Sequence, residues 1–361
     1  MEIILILSAL ILSFALVLVA IPPIIRIAKA KHLFEPFEER KIHTKIVPPL
    51  GGVAIFIGFT LSSIFATDGL KFDSLKYIYA AVLLMFFIGL KDDLMVISAK
   101  KKLVIQLIAA VLLIVFGNIQ LTGLHGMLGE YNIGRLTGFS LTLFAMIVII
   151  NAFNLIDGVD GLASGLGILA STVYGTWFYL SGNYVLAIMA FALAGSLAAF
   201  FLYNVFGHTN KLFMGDTGSL IIGMLISVMV IYFNELNLTA PEPYRIGGAP
   251  AVSFAIIIVP LIDTLRVMTI RIRQRRSPFS PDKNHIHHRL LSLLNSHLKV
   301  TFTILAGNVI LIAIALGLNH LRLNVNLQFI IIFGLGLVFS FIPSYLLQRK
   351  EARKTKKAYP A

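Results

Sequence analysis

The chain has 361 residues, of which 58% are hydrophobic and only 13% charged, with a mean hydropathy of +0.88. An ordinary soluble domain is roughly 45–50% apolar, and the runs here are about 17–25 residues long, the length that crosses hydrocarbon as a helix, so a soluble fold is excluded. With no cysteine, disulfides and thiolate metal sites are excluded too, and the net charge of +13 has to be explained by where the charges fall.

An all-α polytopic membrane protein is therefore expected, with about eleven transmembrane helices near 3–25, 50–67, 76–90, 103–120, 138–156, 162–181, 184–203, 217–233, 250–268, 300–318 and 327–347. The opening run from Glu2 lacks a positive n-region and a small-residue cleavage site, so it reads as a retained first span. Placing the segment 26–49 inside and alternating from there puts 25 of the 30 Lys and Arg residues on inner loops. That bias orients the chain with its N-terminus outside and its C-terminus cytoplasmic. The positive charge is then mostly a topological signal, with a remainder for anionic lipid or phosphate, and it does not indicate nucleic acid.

The first inner loop carries Arg40, Lys41, His43 and Lys45, then Pro48-Pro49-Leu50-Gly51-Gly52 at the start of the second span. Prolines and paired glycines beside a basic cluster suggest tightly turning backbone with amides left to meet a ligand. The third span ends at Lys91-Asp92-Asp93-Leu94. Adjacent helical residues point about 100° apart, so one carboxylate can hold a cation while the other faces a second partner. Lys100, Lys101 and Lys102 lead into span four as interfacial anchors.

Span five delivers Asn151-Ala-Phe-Asn154-Leu-Ile-Asp157-Gly158-Val-Asp160-Gly161 to the same face. Unpaired carboxylates at the end of an apolar helix are costly unless they bind something. Asp157 and Asp160 are spaced three apart, as are Asn151 and Asn154, so each pair would share one side of a helical element. After span seven, Lys211-Leu-Phe213-Met-Gly215-Asp216-Thr217-Gly218 sets Asp216 between glycines at the mouth of span eight, where an N-cap carboxylate is the competing reading. Phe213 is an interfacial aromatic or a stacking platform for a base.

The longest inner loop holds Arg271, Arg273, Arg275 and Arg276, then Asp282 and His285-Ile-His287-His288. Histidines beside arginines suit phosphate oxygens; zinc is the competing reading, weakened by the surrounding cations. The tail from Gln348 reads as solvated and basic. Acidic and basic clusters thus gather on one membrane face. Several carboxylates without a thiol favour a hard cation such as Mg²⁺, with Mn²⁺ as the alternative, and together with phosphate-binding groups they indicate phosphoryl transfer between a soluble and a lipid partner. A transporter with carboxylate ion sites is the rival from another class.

The stretches RKIH with PPLGG, KDDL, NAFNLIDGVDGLASG, KLFMGDTGSL and SPFSPDKNHIHHRL resemble the polyprenyl-phosphate N-acetylhexosamine-1-phosphate transferases. The HIHH form is more similar to the bacterial branch using UDP-GlcNAc and undecaprenyl phosphate than to the phospho-MurNAc-pentapeptide transferases. The resemblance implies a multi-pass enzyme of the bacterial inner membrane that initiates a cell-envelope glycan such as lipopolysaccharide, O-antigen or teichoic acid, using a UDP-N-acetylhexosamine and releasing UMP. It implies one catalytic domain over residues 1–347, with cytoplasmic loops 26–49, 91–102, 157–161, 204–216 and 269–299, and a tail over 348–361. Whether two copies pair is left open. By position, Asp93 and Asp216 would hold Mg²⁺, and Asp92 or Asp93 would contact or deprotonate the lipid phosphate. Asn151, Asn154, Asp157 and Asp160 would serve the nucleotide side, Phe213 the uracil, and His285, His287 and His288 phosphate or sugar. Arg40, Lys41, His43, Lys45 and the four arginines 271, 273, 275 and 276 would meet or steer the substrate. Gly207-His208-Thr209-Asn210 departs from the family pattern after Asn204, which leaves the role of Asn204 open.

Overall fold

The computed structural model describes residues 2–33, 47–67, 70–276 and 284–358, and among them every regular element is helical. In order these are α1 (Glu2–Ala30), α2 (Gly51–Ala66), α3 (Leu75–Leu94), α4 (Ala99–Val115), α5 (Arg135–Ile156), α6 (Leu162–Leu180), α7 (Tyr184–Phe206), α8 (Gly215–Asn237), α9 (Ala249–Ile256), α10 (Ile258–Arg273), α11 (Ile286–Leu294), α12 (His297–His320) and α13 (Val325–Ala358). Helix is the expected outcome where backbone polar groups must be satisfied without water. Among the described residues α1, α5, α7, α8, α12 and α13 are each long and apolar enough to cross a membrane, and the bent pair α9–α10 adds a seventh if counted as one span. The protein is thus a polytopic membrane protein.

Helices α7 and α8 form the interior: α7 packs on α1, α2 and α6, and α8 on α2, α3, α5 and α6. Small residues make this closeness available. A Cβ on Gly195 of α7 would meet Leu10 O of α1 at 2.3 Å, and one on Gly223 of α8 would meet Ile150 Cα of α5 at 2.6 Å. Tyr174 and Trp177 of α6 pack edge-on against Phe233 of α8. By contrast α1 and α13 keep many large apolar side chains exposed, such as Ile4, Ile11, Ile330 and Val338, as lipid-facing helices do.

One expectation from the sequence needs correction. The span read as continuous over 250–268 is broken at Ile257, where α9 and α10 meet at 77°. The carbonyls freed at the break are met by Asn308 of α12, whose Nδ2 donates to Ile256 O at 3.1 Å; a polar side chain from a neighbouring helix is what such a break requires. Pro260 falls in the first turn of α10, where its missing N–H costs nothing. Helix α13 runs on through Ala358, so the first part of the basic segment that begins at Gln348 is helical. Its Lys- and Arg-rich composition is compatible with helix propagation, and only its apolar content changes at the span end.

Candidate active site

Helix ends that alternate in direction converge at one end of the bundle. The convergence begins with Asp93 in the last turn of α3. Its Oδ1 accepts from the backbone N–H of Asp216 at 2.7 Å, and its Oδ2 from that of Thr217 at 3.0 Å and from the Thr217 hydroxyl. Asp93 thus caps the N-terminus of α8 from another helix, in the place where the macrodipole and unbonded amides favour a carboxylate. Gly215, at φ +72°, brings the chain in. A Cβ there would meet Pro49 O at 2.3 Å and Asp93 Oδ2 at 2.5 Å.

Because Asp93 does the capping, Asp216 is released from that role. Its Oδ2 pairs with Lys102 Nζ at 2.5 Å, and its Oδ1 accepts from Asn154 Nδ2 at 3.0 Å. Lys102 also pairs with Asp92 at 3.0 Å, so one ammonium stands between carboxylates from α3 and α8. Asn154 further donates to Ser219 Oγ, fixing its own place on α8. Burial and the neighbouring Asp216 carboxylate push Asp92 above the ordinary carboxylate range. Burial likewise raises Asp93 to about 7, only partly offset by the Thr217 and Asp216 donors. Asp157 stands just past the end of α5, and burial followed by the charges of Asp216, Asp93 and Asp160 pushes it up to about 8. The cluster therefore carries more negative charge than its own lysine neutralises.

Asp160 does not share a helical face with Asp157, as its spacing suggested. Helix α5 stops at Ile156 and α6 starts at Leu162, so the two aspartates sit in a turn that Gly161, at φ +77°, closes. Asp160 pairs instead with Lys211 (2.6 Å) and His297 (3.1 Å), and its carbonyl accepts from Thr301. Burial works against its charge, but these partners prevail and hold its carboxyl below the ordinary range. Asn204 acquires a definite part here. Its Oδ1 accepts from Gly161 N at 2.6 Å and its Nδ2 donates to Leu212 O at 2.9 Å, clipping the DGVDG turn to the loop before α8. Asn151 faces elsewhere, donating to Gln106 of α4 and to Ile147 O one turn back.

The glycine amides of PPLGG are not left for a ligand. Gly51 N donates to Phe213 O and Gly52 N to Met214 O, while Phe213 N donates to Pro48 O. These bonds hold the Phe213 backbone, and the residue is 37% exposed, with Lys211 Nζ 5.6 Å from the ring centroid. The residues Arg40, Lys41, His43, Lys45 and Asp282 lie outside the described residues.

The histidines close the site from α11. His285 and His287 stack with centroids 5.5 Å apart, and His288 lies 4.3 Å from His287. His287 touches the DGVDG turn so closely that a Cβ on Gly158 would lie 2.3 Å from its Nε2. Burial pushes the His287 imidazole down to about 3, against the pull of Asp263 and helped by neighbouring imidazoles and Arg266. It is therefore neutral near pH 7, and offers hydrogen bonds rather than charge. Of the four arginines, Arg271 is buried at 2% exposure while Arg273, Arg275 and Arg276 are exposed. Asp263 and Arg266 were missed by sequence reasoning, which set 250–268 aside as an ordinary span. A charged i, i+3 pair inside an apolar segment was the available signal.

An α-helical, polytopic membrane protein with carboxylates, a lysine and stacked histidines gathered at one end of its bundle is of the class that works on charged substrates at a lipid surface. The family model for Glycosyl transferase family 4 matches residues 75–234, which contain the whole carboxylate cluster. The undecaprenyl-phosphate alpha-N-acetylglucosaminyl 1-phosphate transferase of Escherichia coli O157:H7 is 34% identical over 74% of this chain and 71% of its own length. A probable undecaprenyl-phosphate N-acetylglucosaminyl 1-phosphate transferase of Bacillus subtilis (strain 168) is 31% identical over 91% of this chain and 90% of its own. The Yersinia pestis transferase is 32% identical over 70% and 67%. The chain belongs to glycosyl transferase family 4, among the undecaprenyl-phosphate N-acetylglucosaminyl 1-phosphate transferases, and is a transferase.

Proposed function

We infer that the protein transfers GlcNAc-1-phosphate from UDP-GlcNAc to undecaprenyl phosphate. An oxygen of the lipid phosphate attacks the β-phosphorus, the bond between the two phosphates breaks, UMP leaves, and undecaprenyl-diphospho-GlcNAc remains. The observation that carries this reading is the convergence of Asp92, Lys102, Asn154 and Asp216 from four helices at one bundle end. A transporter would instead need ionisable groups along a mid-span path. Eleven segments, counting α9–α10 as one and leaving α11 outside, support the expected count, and the Lys/Arg bias supports an active site facing the cytoplasm across a bacterial inner membrane.

The donor set fits Mg²⁺. Among the described residues no group of three or more His, Asp or Glu side chains forms a ready-made cage. Mg²⁺ needs none, because it keeps waters and shares one or two carboxylates with substrate phosphates. Asp216 and Asp92 would hold it where Lys102 now bridges them; Asp93, whose oxygens both face α8, supports that helix end. The ion when bound would neutralise charge on the diphosphate. Asp92 orients the lipid phosphate or takes its proton, Asn154 keeps Asp216 in place, and the exposed face of Phe213 suits a uracil ring. The neutral His287 donates to phosphate or sugar, while Arg273, Arg275 and Arg276 attract the anionic donor to the membrane surface.

The test is UMP release from UDP-GlcNAc by the purified protein in detergent, with undecaprenyl phosphate and with or without Mg²⁺, and with UDP-GalNAc and UDP-MurNAc-pentapeptide as competing donors. No release from any of these would favour transport. Two further outcomes are expected. Replacing His287 by Ala should raise KM for UDP-GlcNAc about tenfold while leaving KM for the lipid phosphate unchanged; unchanged kinetics would return the histidines to a structural role. The Mg²⁺ requirement should also ease as pH rises. Asp93 and Asp157, raised to about 7 and about 8, retain protons below those values, so the negative charge beside the Asp92–Asp216 cation site grows as they ionise. Half-maximal Mg²⁺ should therefore fall from pH 6 to pH 8 and level off above, and a flat dependence would count against cation binding at this cluster.

A further inference from the structure

Asp263 and Arg266, one turn apart on α10, are 1% and 3% exposed. Asp263 Oδ1 accepts from the Arg266 guanidinium at 3.0 Å and from the backbone N–H of Ile286, the first residue of α11, at 2.8 Å. Its Oδ2 lies 2.8 Å from His285 Nδ1. On the other side of that ring, an Arg271 NH2 group lies 3.4 Å from Nε2. A guanidinium only donates, so Nε2 must present its lone pair, and the proton must sit on Nδ1, donating to Asp263. Arg266 ties the assembly down, donating to the carbonyl of Asn284 and lying over the Phe341 ring of α13. The histidines are therefore not loosely hung on a loop. Their helix starts on a buried carboxylate, as α8 starts on Asp93.

We propose that Asp263 is a positioning residue for the transfer: by fixing the Nδ1–H form of His285 and the first amide of α11, it aims Arg271, His287 and His288 at the diphosphate of the sugar nucleotide. This rests on the phosphate-contact reading of the histidines given above. Asp263 itself touches no substrate. Its carboxylate does for His285 what an orienting carboxylate does for a metal-binding or catalytic imidazole. In the Asp263→Asn variant, either amide orientation loses one of the two acceptors, and an NH₂ placed against Nδ1 turns the ring to its other tautomer, so that an N–H faces Arg271.

The experiment uses full-length protein in detergent, labelled with ¹⁵N-histidine, His285→Gln serving to assign the His285 signals. The wild type is expected to show His285 with its proton on Nδ1, and Asp263→Asn to move the proton to Nε2. In the same preparations kcat for UMP release should fall roughly 100-fold while KM for undecaprenyl phosphate stays within about twofold. The double variant Asp263→Asn/His285→Gln should be no slower than the slower single, because the two act through one another. Asp263→Glu, which keeps both acceptors, should restore much of the rate. A wild-type proton on Nε2, a tautomer indifferent to Asp263→Asn, or losses that multiply in the double variant would overturn the proposal. If Asp263→Asn does not fold, the wild-type spectrum and the Glu variant decide it. If the wild type releases no UMP from any UDP-N-acetylhexosamine, the reading of the reaction fails, and the spectra still decide whether Asp263 sets the ring.

Discussion

Asp216→Asn is expected to lower UMP release at least about 10³-fold while leaving the protein folded, as loss of a preorganised charge at a reacting centre does. The carboxylate has two distinct duties, one oxygen on Lys102 and the other on Asn154. Asn keeps the shape and the acceptor toward Asn154, but turns an NH₂ toward Lys102 and removes the charge that would share a cation with Asp92. Stability should survive because the amides at the start of α8 belong to Asp93. Asp93→Asn makes the contrasting case, in which α8 loses a charged cap and stability should drop by about 1–2 kcal/mol. Thermal unfolding in detergent beside a UMP-release assay separates the two. Near-normal turnover in Asp216→Asn, or unfolding of that variant while Asp93→Asn stays intact, would reverse the roles assigned to the pair.

That reversal of capping roles also marks the limit of sequence reading. Apolar length made the helical membrane architecture legible, since it follows from solvent alone and needs no knowledge of neighbours. The carboxylates at the helix ends were legible as a group, because charge at the end of an apolar helix has few inexpensive explanations. Which carboxylate does what was not. An Asp flanked by glycines at a helix start, such as Asp216, looks like its own N-cap, and only the arrival of α3 shows the cap coming from Asp93 instead. Asp157 and Asp160 kept helical spacing in a segment where the helix had already stopped, so period was mistaken for geometry. The PPLGG amides looked available until their partners at Phe213 and Met214 were in place. Asp263 was hidden by averaging, one buried charge in a long apolar window, although its Arg266 neighbour was in plain view. The break at Ile257 did have a local signal in Pro260, whose missing N–H leaves Ile256 O without its helical donor; what the sequence could not show is that Asn308 on another helix takes that carbonyl.

The carboxylate half and the histidine half of the site meet at one contact, and Gly158→Ala is expected to separate them. A Cβ at Gly158 would lie 2.3 Å from His287 Nε2, closer than real Cβ atoms come, and 3.1 Å from its Cε1, tighter than most. His287 cannot retreat. It is 1% exposed, stacked on His285, and carried on a helix whose first amide is held by Asp263. The DGVDG turn must then shift, and with it Asp157 and the Gly161 amide that Asn204 clips. Misplacing a binding group by about 1 Å costs roughly 100-fold in rate, so kcat/KM for UDP-GlcNAc should fall by about that factor or more. Gly134→Ala is the matched control, since a Cβ there meets nothing within 4 Å, and it should be silent. If Gly158→Ala kept wild-type kcat/KM, the two halves would have to act independently, and the histidines would no longer be part of the carboxylate site.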